Sequence, residues 1–335
     1  RLDDLVSSEI RSALAATGET EFPRHTSQVT ADDFANRLVR YLEALGGLTT
    51  ATILIARWAD QDNQPLLANV ISRMTDNNEP IGGTTLWLNL RWYPTMLLMY
   101  LGGIAAIAGS NYGSLTTLLT ASTMHRVTGV EVDEAIVPTV EGILAVNGTR
   151  MFKLLPGHEK FHVPMNEYLF KALQPRLDDL LYLGGAYEEA FDRFEILYSL
   201  LYAEIRNRST GSTWGPPGRF WWKHVNQKAS GPFERLVKEA ESNGTGWAPL
   251  QHGLFQNSLD RFMEILGEND NQFSDGGDVT IHERTDIHEN CCSPSHRKKT
   301  TNIALVFLGN LFYEFTISVY VGRGQRSNSA CTHQR

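Results

Sequence analysis

Apolar residues recur along most of this chain at a spacing of three or four, the period that lays them along one side of an α-helix. "LDDLVSSEIRSALAA" places Leu2, Leu5, Ile10 and Leu14 close to one face, and "ADDFANRLVRYLEALGG" does the same with Phe34, Leu38, Tyr41, Leu42 and Leu45 before a glycine stop. "TTATILIARWADQ" and "NQPLLANVISRMTDN" follow, the second with Pro65 in a first turn, where a missing N–H costs nothing. The pattern returns in "MNEYLFKALQPRLDDLLYLGG" and in "AYEEAFDRFEILYSLLYAEIRNR", where Tyr187, Phe191, Phe194, Leu197, Leu201 and Ile205 make one wide stripe. "GPFERLVKEAES" and "LFQNSLDRFMEILGE" complete the series. A stripe of this width is a core face before it is a ligand site.

Three stretches depart from that rhythm. "TTLWLNLRWYPTMLLMYLGGIAAIAGSNYGSLTTLLTAS" carries Arg91 as its one charge, and Trp92 to Gly109 supply about the 18 uncharged residues that a membrane span needs. Pro94 near its start, Gly102-Gly103 in its middle and the lack of a flanking Lys/Arg cluster argue instead for a helix buried on all sides of a large helical domain. From about 130 to 164, Pro138, Gly142, Gly148, Pro156, Gly157 and Pro164 punctuate a weak pattern and predict an irregular connector. Beyond about residue 269 the helical rhythm stops. The expectation is a mainly α fold, a large multi-helix array or bundle over residues 1–268, with a C-terminal extension at 269–335 that is poorly structured or carries short strands.

Composition narrows the function classes. A chain of 335 residues with 42% apolar content has enough material for a sizeable core. The net charge of −8 argues against broad nucleic-acid binding, which needs a surplus of Lys and Arg. Three cysteines, Cys291, Cys292 and Cys331, all near the C-terminus, leave the body without a disulfide framework and point to a reducing, cytoplasmic setting. The chain opens on Arg1 inside an amphipathic pattern with no signal peptide, as a cut within a longer protein would.

The sharpest chemical motif is "PGHEKFHVP", in which His158-Glu159-Lys160-Phe161-His162 spells H-E-x-x-H. In zinc proteases this pentapeptide lies in a helix, so that both imidazoles face one metal and the glutamate polarises its bound water. Here Pro156-Gly157 and Pro164 leave it only about one and a half turns. Met165 and Tyr168 also stand where the extended pattern has Gly and His, and Glu188 or Glu189 is a loose third ligand at best. A zinc-dependent hydrolase built on His158, Glu159 and His162 is therefore the alternative reading, with zinc as its cofactor. A second set, His282, His288, Cys291, Cys292 and His296, has zinc-compatible residue types but no C-x-x-C spacing. The apolar run "TNIALVFLGNLFYEFTISVYV" after it reads as a strand pair or a hydrophobic anchor, so a membrane-associated protein using residues 92–109 or 303–321 is a further alternative.

Four segments, taken in order, carry a resemblance: "LRWYPTMLLMYLGGIAAIAG", "FDRFEILYSLLYAEIRN", "WGPPGRFWWK" and "WAPLQHGLFQNSLDRFMEIL". Over about residues 30–266 the chain resembles the helical C-terminal region of bacterial multidomain defence-associated proteins whose N-terminal modules are Schlafen/AlbA-like or sirtuin-like. The resemblance implies a non-catalytic regulatory, recognition or scaffolding role, with protein partners, an effector module on the same longer chain, and homo-oligomerisation as an option. It transfers no catalytic residue. The residues to watch under it are Arg91 beside Trp92 and Tyr93, Arg193 in "FDRF", and Trp214 and Arg219 in "TWGPPGRFWW". An arginine between aromatic rings is first a structural ion-pair or stacking residue.

Overall fold

The computed structural model describes residues 1–26, 29–76, 82–123, 126–127, 130–131, 134–227, 231–274, 301–303 and 315–317. Helices α1 (Leu2–Ala16), α2 (Ala31–Ala44), α3 (Gly46–Trp58), α4 (Pro65–Asp76), α5 (Thr85–Leu90), α6 (Tyr93–Ala108) and α7 (Tyr112–Leu119) come first. A minimal antiparallel ladder, β1 (Arg126–Val127) on β2 (Val130–Glu131), precedes the rest. These are α8 (Ile136–Gly148), α9 (Pro164–Leu181), α10 (Ala186–Thr210), α11 (Arg219–Gln227), α12 (Pro232–Asn243), α13 (Ala248–Gln251) and α14 (Leu259–Ser274). The fold is mainly α. The chain divides into two units, Arg1–Asn271 and Gln272–Arg335. In the second, Thr301–Ile303 pairs antiparallel with Phe315–Ile317.

Helix α6 is the axis of the first unit. Pro94 sits in its first turn, where it starts the helix instead of breaking it, and every residue from Tyr93 to Ile107 is buried. It packs on α3, α7 and α10, and also meets α2, α4, α8 and α9. Its glycines set the spacing: a Cβ on Gly103 would lie 2.1 Å from the Phe194 ring of α10, and one on Gly102 would lie 2.9 Å from Leu118 of α7. The 18-residue apolar run is thus an interior helix. Among the described residues no single helix is long and apolar enough to cross a membrane, although α2 and α3 together, bent by 63°, have the length and composition.

Some details differ from the sequence expectation. In α1 the buried stripe is Val6, Ile10 and Ala13, while Leu2 and Leu5 are 40% and 53% exposed, because the helix turns a slightly rotated face to α3 and α4. In α2, capped by Thr30, whose hydroxyl accepts the Asp33 N–H at 3.1 Å, Arg37 joins Phe34, Leu38 and Tyr41 on the buried side. The stretch 130–164 is irregular at its ends but carries α8 in its middle. Pro138 lies in that helix's first turn, which tolerates it, and Gly142 is there because a Cβ would meet the Trp92 indole at 2.1 Å. The last helix starts at Leu259 and not Leu254, since Phe255, Gln256 and Asn257 all take positive φ.

Candidate functional site

Helix α10 presents Glu188, Asp192 and Glu195 at i, i+4 and i+7, one line of carboxylates along its side. Opposite runs α11, whose Arg219 and Lys223 are likewise four apart. The approach is close because the preceding segment has glycine where it meets α10: a Cβ on Gly215 would lie 2.4 Å from Ser199 Oγ, and one on Gly218 would lie 2.5 Å from Glu195 Oε2. Arg219 Nε donates to Glu167 Oε1 of α9 at 3.1 Å, Nη2 donates to Glu188 at 3.4 Å, and Nη1 lies 3.7 Å from Asp192. Its guanidinium lies 3.6 Å over the Phe170 ring. Lys223 Nζ donates to Glu188 at 2.6 Å and also to Asp192. Two cations thus tie α9, α10 and α11 together through three carboxylates.

Burial divides the acids of this network. Glu188, on the exposed margin, is held below its ordinary value by the Lys223 hydrogen bond. Asp192 goes up, because burial outweighs Lys223 and Arg219. Glu195 is 2% exposed, and burial pushes it up to about 7 against the hydrogen bonds it accepts. Those come from Asn166 Nδ2 at 2.6 Å and the Arg219 backbone N–H at 2.7 Å, with the Tyr100 hydroxyl at 3.3 Å. Tyr100 in turn lies well above its ordinary value, from burial and then from Glu195. Beside them is a cavity of about 20 Å³, room for one water molecule, lined by Met96, Tyr100, Met165, Asn166, Glu195 and Tyr198. The buried Tyr198 hydroxyl has no hydrogen-bond partner. Glu195, Asn166 and Tyr100 escaped the sequence reading, though a glutamate between Phe194 and Ile196 in an apolar stripe was a visible signal.

Arg193 leaves α10 on another side. Its Nη1 and Nη2 clamp both oxygens of Glu239 from α12 at 2.5 and 2.7 Å, and its Nε donates to Tyr112 Oη at 2.8 Å. Trp247 Nε1 donates to the same carboxylate at 3.0 Å, and Glu239 is held below its ordinary value, chiefly by Arg193. Trp214 is half-buried and meets Tyr202 edge-to-face at 6.3 Å.

The pentapeptide 158–162 is a turn, not a helix. His158 is buried against Phe161 and Tyr168, with Nδ1 3.1 Å from the Pro156 carbonyl. Glu159 is exposed and accepts the Gly157 N–H at 3.1 Å. Backbone hydrogen bonds, from its own N–H and from Gly157, hold its carboxyl below the ordinary value. His162 is exposed and stacks on Trp222 at 4.6 Å. One imidazole therefore points into the core and the other lies along the surface. The helical arrangement that would aim both at one metal is not formed, and Glu188 is engaged by Lys223 and Arg219. Among the described residues, no three His, Cys, Asp or Glu side chains group as a metal site. The set His282, His288, Cys291, Cys292 and His296 lies outside the described residues.

Arg91 belongs to a second polar cluster, between α2, α5 and the loop after α1. Its Nε donates to the Leu88 carbonyl at 3.1 Å, and burial, then the charge of Arg24, pulls it below its ordinary value. Arg24 pairs with Glu19 at 2.6 Å. Arg37 donates to the Pro23 carbonyl and lies 4.0 Å over the Trp87 ring. Tyr41, stacked on Phe22 at 3.8 Å, is pushed up to about 12 by burial while Arg37, Arg91 and Arg24 all pull it down. The charges of three guanidiniums thus bear on one phenol. Arg37 was legible as a charge on the buried face of α2, but the sequence reading passed over it.

Comparison with known protein families, characterised proteins and solved structures finds no match to this chain.

Proposed function

We propose that the chain is a non-catalytic helical recognition or scaffolding domain of a bacterial multidomain protein, with the effector chemistry on another module of the same longer chain. The observation that carries this reading is the fate of the polar residues on α10. Arg193 is closed by Glu239, and Arg219 by Glu167, Glu188 and Asp192, so the groups that mark the helix bind its neighbours and not a substrate. The water-sized cavity beside Glu195 agrees with a packed support in place of a reaction chamber. A regulatory role in a defence-associated protein, and a cytoplasmic setting, rest on the motif order and on the sparse cysteines. Trp58, Leu154, Tyr182 and Trp222, at 61%, 58%, 86% and 46% exposure, are the apolar side chains that a protein partner or a second copy would cover.

The deciding experiment is metal analysis of the full chain after dialysis, with Glu159→Gln alongside. The expected result is far less than one zinc per chain, and a variant with unchanged fold and unchanged partner binding. Stoichiometric zinc that is lost in His158→Ala or His162→Ala, together with a peptidase activity lost in Glu159→Gln, would overturn the reading in favour of a hydrolase.

A further inference from the structure

We propose that the cavity between α6, α8, α9 and α10 is a binding site for an ammonium group, free or as the head of a small primary amine, held by the Glu195 carboxylate and the Tyr198 hydroxyl.

Glu195 is a buried acid whose hydrogen-bond partners are neutral. Arg219 directs its guanidinium to Glu167, Glu188 and Asp192 and gives Glu195 only a backbone N–H. Lys223 is taken by Glu188 and Asp192. What reaches the Glu195 oxygens is the Asn166 amide at 2.6 Å, that N–H at 2.7 Å and the Tyr100 hydroxyl at 3.3 Å. Asp192, one turn earlier on the same helix, adds a like charge. A carboxylate in such surroundings is costly to ionise unless a cation pairs with it, and the adjoining cavity is where that cation can stand.

The second holder is Tyr198. It is 4% exposed, it lines the same cavity, and its hydroxyl has no hydrogen-bond partner. Its ring and that of Tyr100, 5.6 Å apart and tilted by 60°, put two aromatic rings in the wall, and aromatic faces attract cations. Size and wall chemistry select the ligand. About 20 Å³ admits one water-sized group, which an ammonium ion is. A water would satisfy the hydroxyl but leave the carboxylate without a counter-charge. Hard metal ions take about six oxygen ligands or more, and much of the remaining wall, with Met96, Ile143 and Met165, is apolar. That apolar wall suits the first carbon of a primary amine. Half-buried Pro216, in the segment before α11, closes the cavity on one side.

This inference goes beyond the scaffold reading, and its test involves neither zinc nor a protein partner, so the two stand or fall separately. Thermal unfolding of the full chain at pH 8 is followed by circular dichroism in the chlorides of ammonium, methylammonium, potassium and sodium at matched ionic strength. Ammonium or methylammonium should raise Tm along a saturating curve that potassium and sodium do not reproduce. A larger response to methylammonium identifies a primary amine as the ligand, and an equal or smaller one identifies the free ion. Tyr198→Phe, which removes a hydroxyl that no other side chain uses, should fold normally and weaken the apparent affinity about fivefold. Glu195→Gln keeps the shape and removes the charge, so its response to either amine should fall to that seen with sodium. Equal responses to ammonium, potassium and sodium, or a Glu195→Gln chain that responds as the parent does, would show that the cavity holds water only.

Discussion

Replacing Glu195 by glutamine should stabilise the folded chain at neutral and alkaline pH and leave it nearly unchanged near pH 5. The carboxyl sits at about 7 when folded against an ordinary 4.5, so the folded state holds the proton more tightly than the unfolded chain does. Between those values the unfolded chain has lost its proton and the folded one has kept it, so stability falls as pH rises through the window and levels off above it. At about 1.36 kcal/mol per pH unit the ionised carboxylate costs the fold about 3 kcal/mol at pH 8. The side chain is buried, so water does not screen that cost. Glutamine has the same shape and no charge. Its carbonyl can accept the Arg219 N–H, and its amide can donate to Asn166 once that amide turns over, as it must when Glu195 is protonated. A gain of about 1–3 kcal/mol at pH 8 is therefore expected, measured as a shift in urea midpoint with unchanged m. Taking the difference between variant and parent at each pH cancels the other titrating groups. Glu195→Ala should do the opposite, since it strands the Arg219 and Asn166 donors at about 1–3 kcal/mol each and opens a cavity. A glutamine variant whose stability runs parallel to the parent from pH 5 to 8 would refute the reasoning.

Arg193→Ala should cost about 2 kcal/mol in urea unfolding, less than a fully buried pair because Glu239 is 40% exposed, and Arg193→Lys should recover little of it. The lysine has no fork to span both Glu239 oxygens and Tyr112. Gly103→Ala should lower stability by about 1–3 kcal/mol, read from thermal unfolding, because its Cβ would press on the Phe194 ring in a core that cannot expand. A chain ending at Asn271 should keep a single cooperative thermal transition and its helical circular dichroism, because the first unit has its own core. Loss of that transition would show that the core needs the later residues.

The sequence by itself determined most of the helical segments, α8 excepted, and which of them is most deeply buried. The three-to-four spacing of Phe34, Leu38 and Tyr41, or of Phe191, Phe194 and Leu197, is a local signal, and a run without charge from Trp92 to Gly109 has few places to go other than a core. It also suggested that Arg193 and Arg219, each set among aromatic residues, are structural. What the tertiary structure decided is everything that depends on the neighbour across a gap. Pro138 and Gly142 carry the same letters as a loop, and only the Trp92 ring against Gly142 shows why they sit in a helix. H-E-x-x-H reads identically in a helix and a turn, yet the turn sends His158 inward and His162 onto Trp222. Glu195 looks like any helical glutamate until Asn166, Tyr100 and the Arg219 N–H close around it from three other segments. Arg24, Arg37 and Arg91 come from three separate segments, and the charges of all three bear on Tyr41. Periodicity is encoded within a few residues, whereas desolvation and charge balance are sums over whatever the fold brings near, so they exist only once the helices are packed.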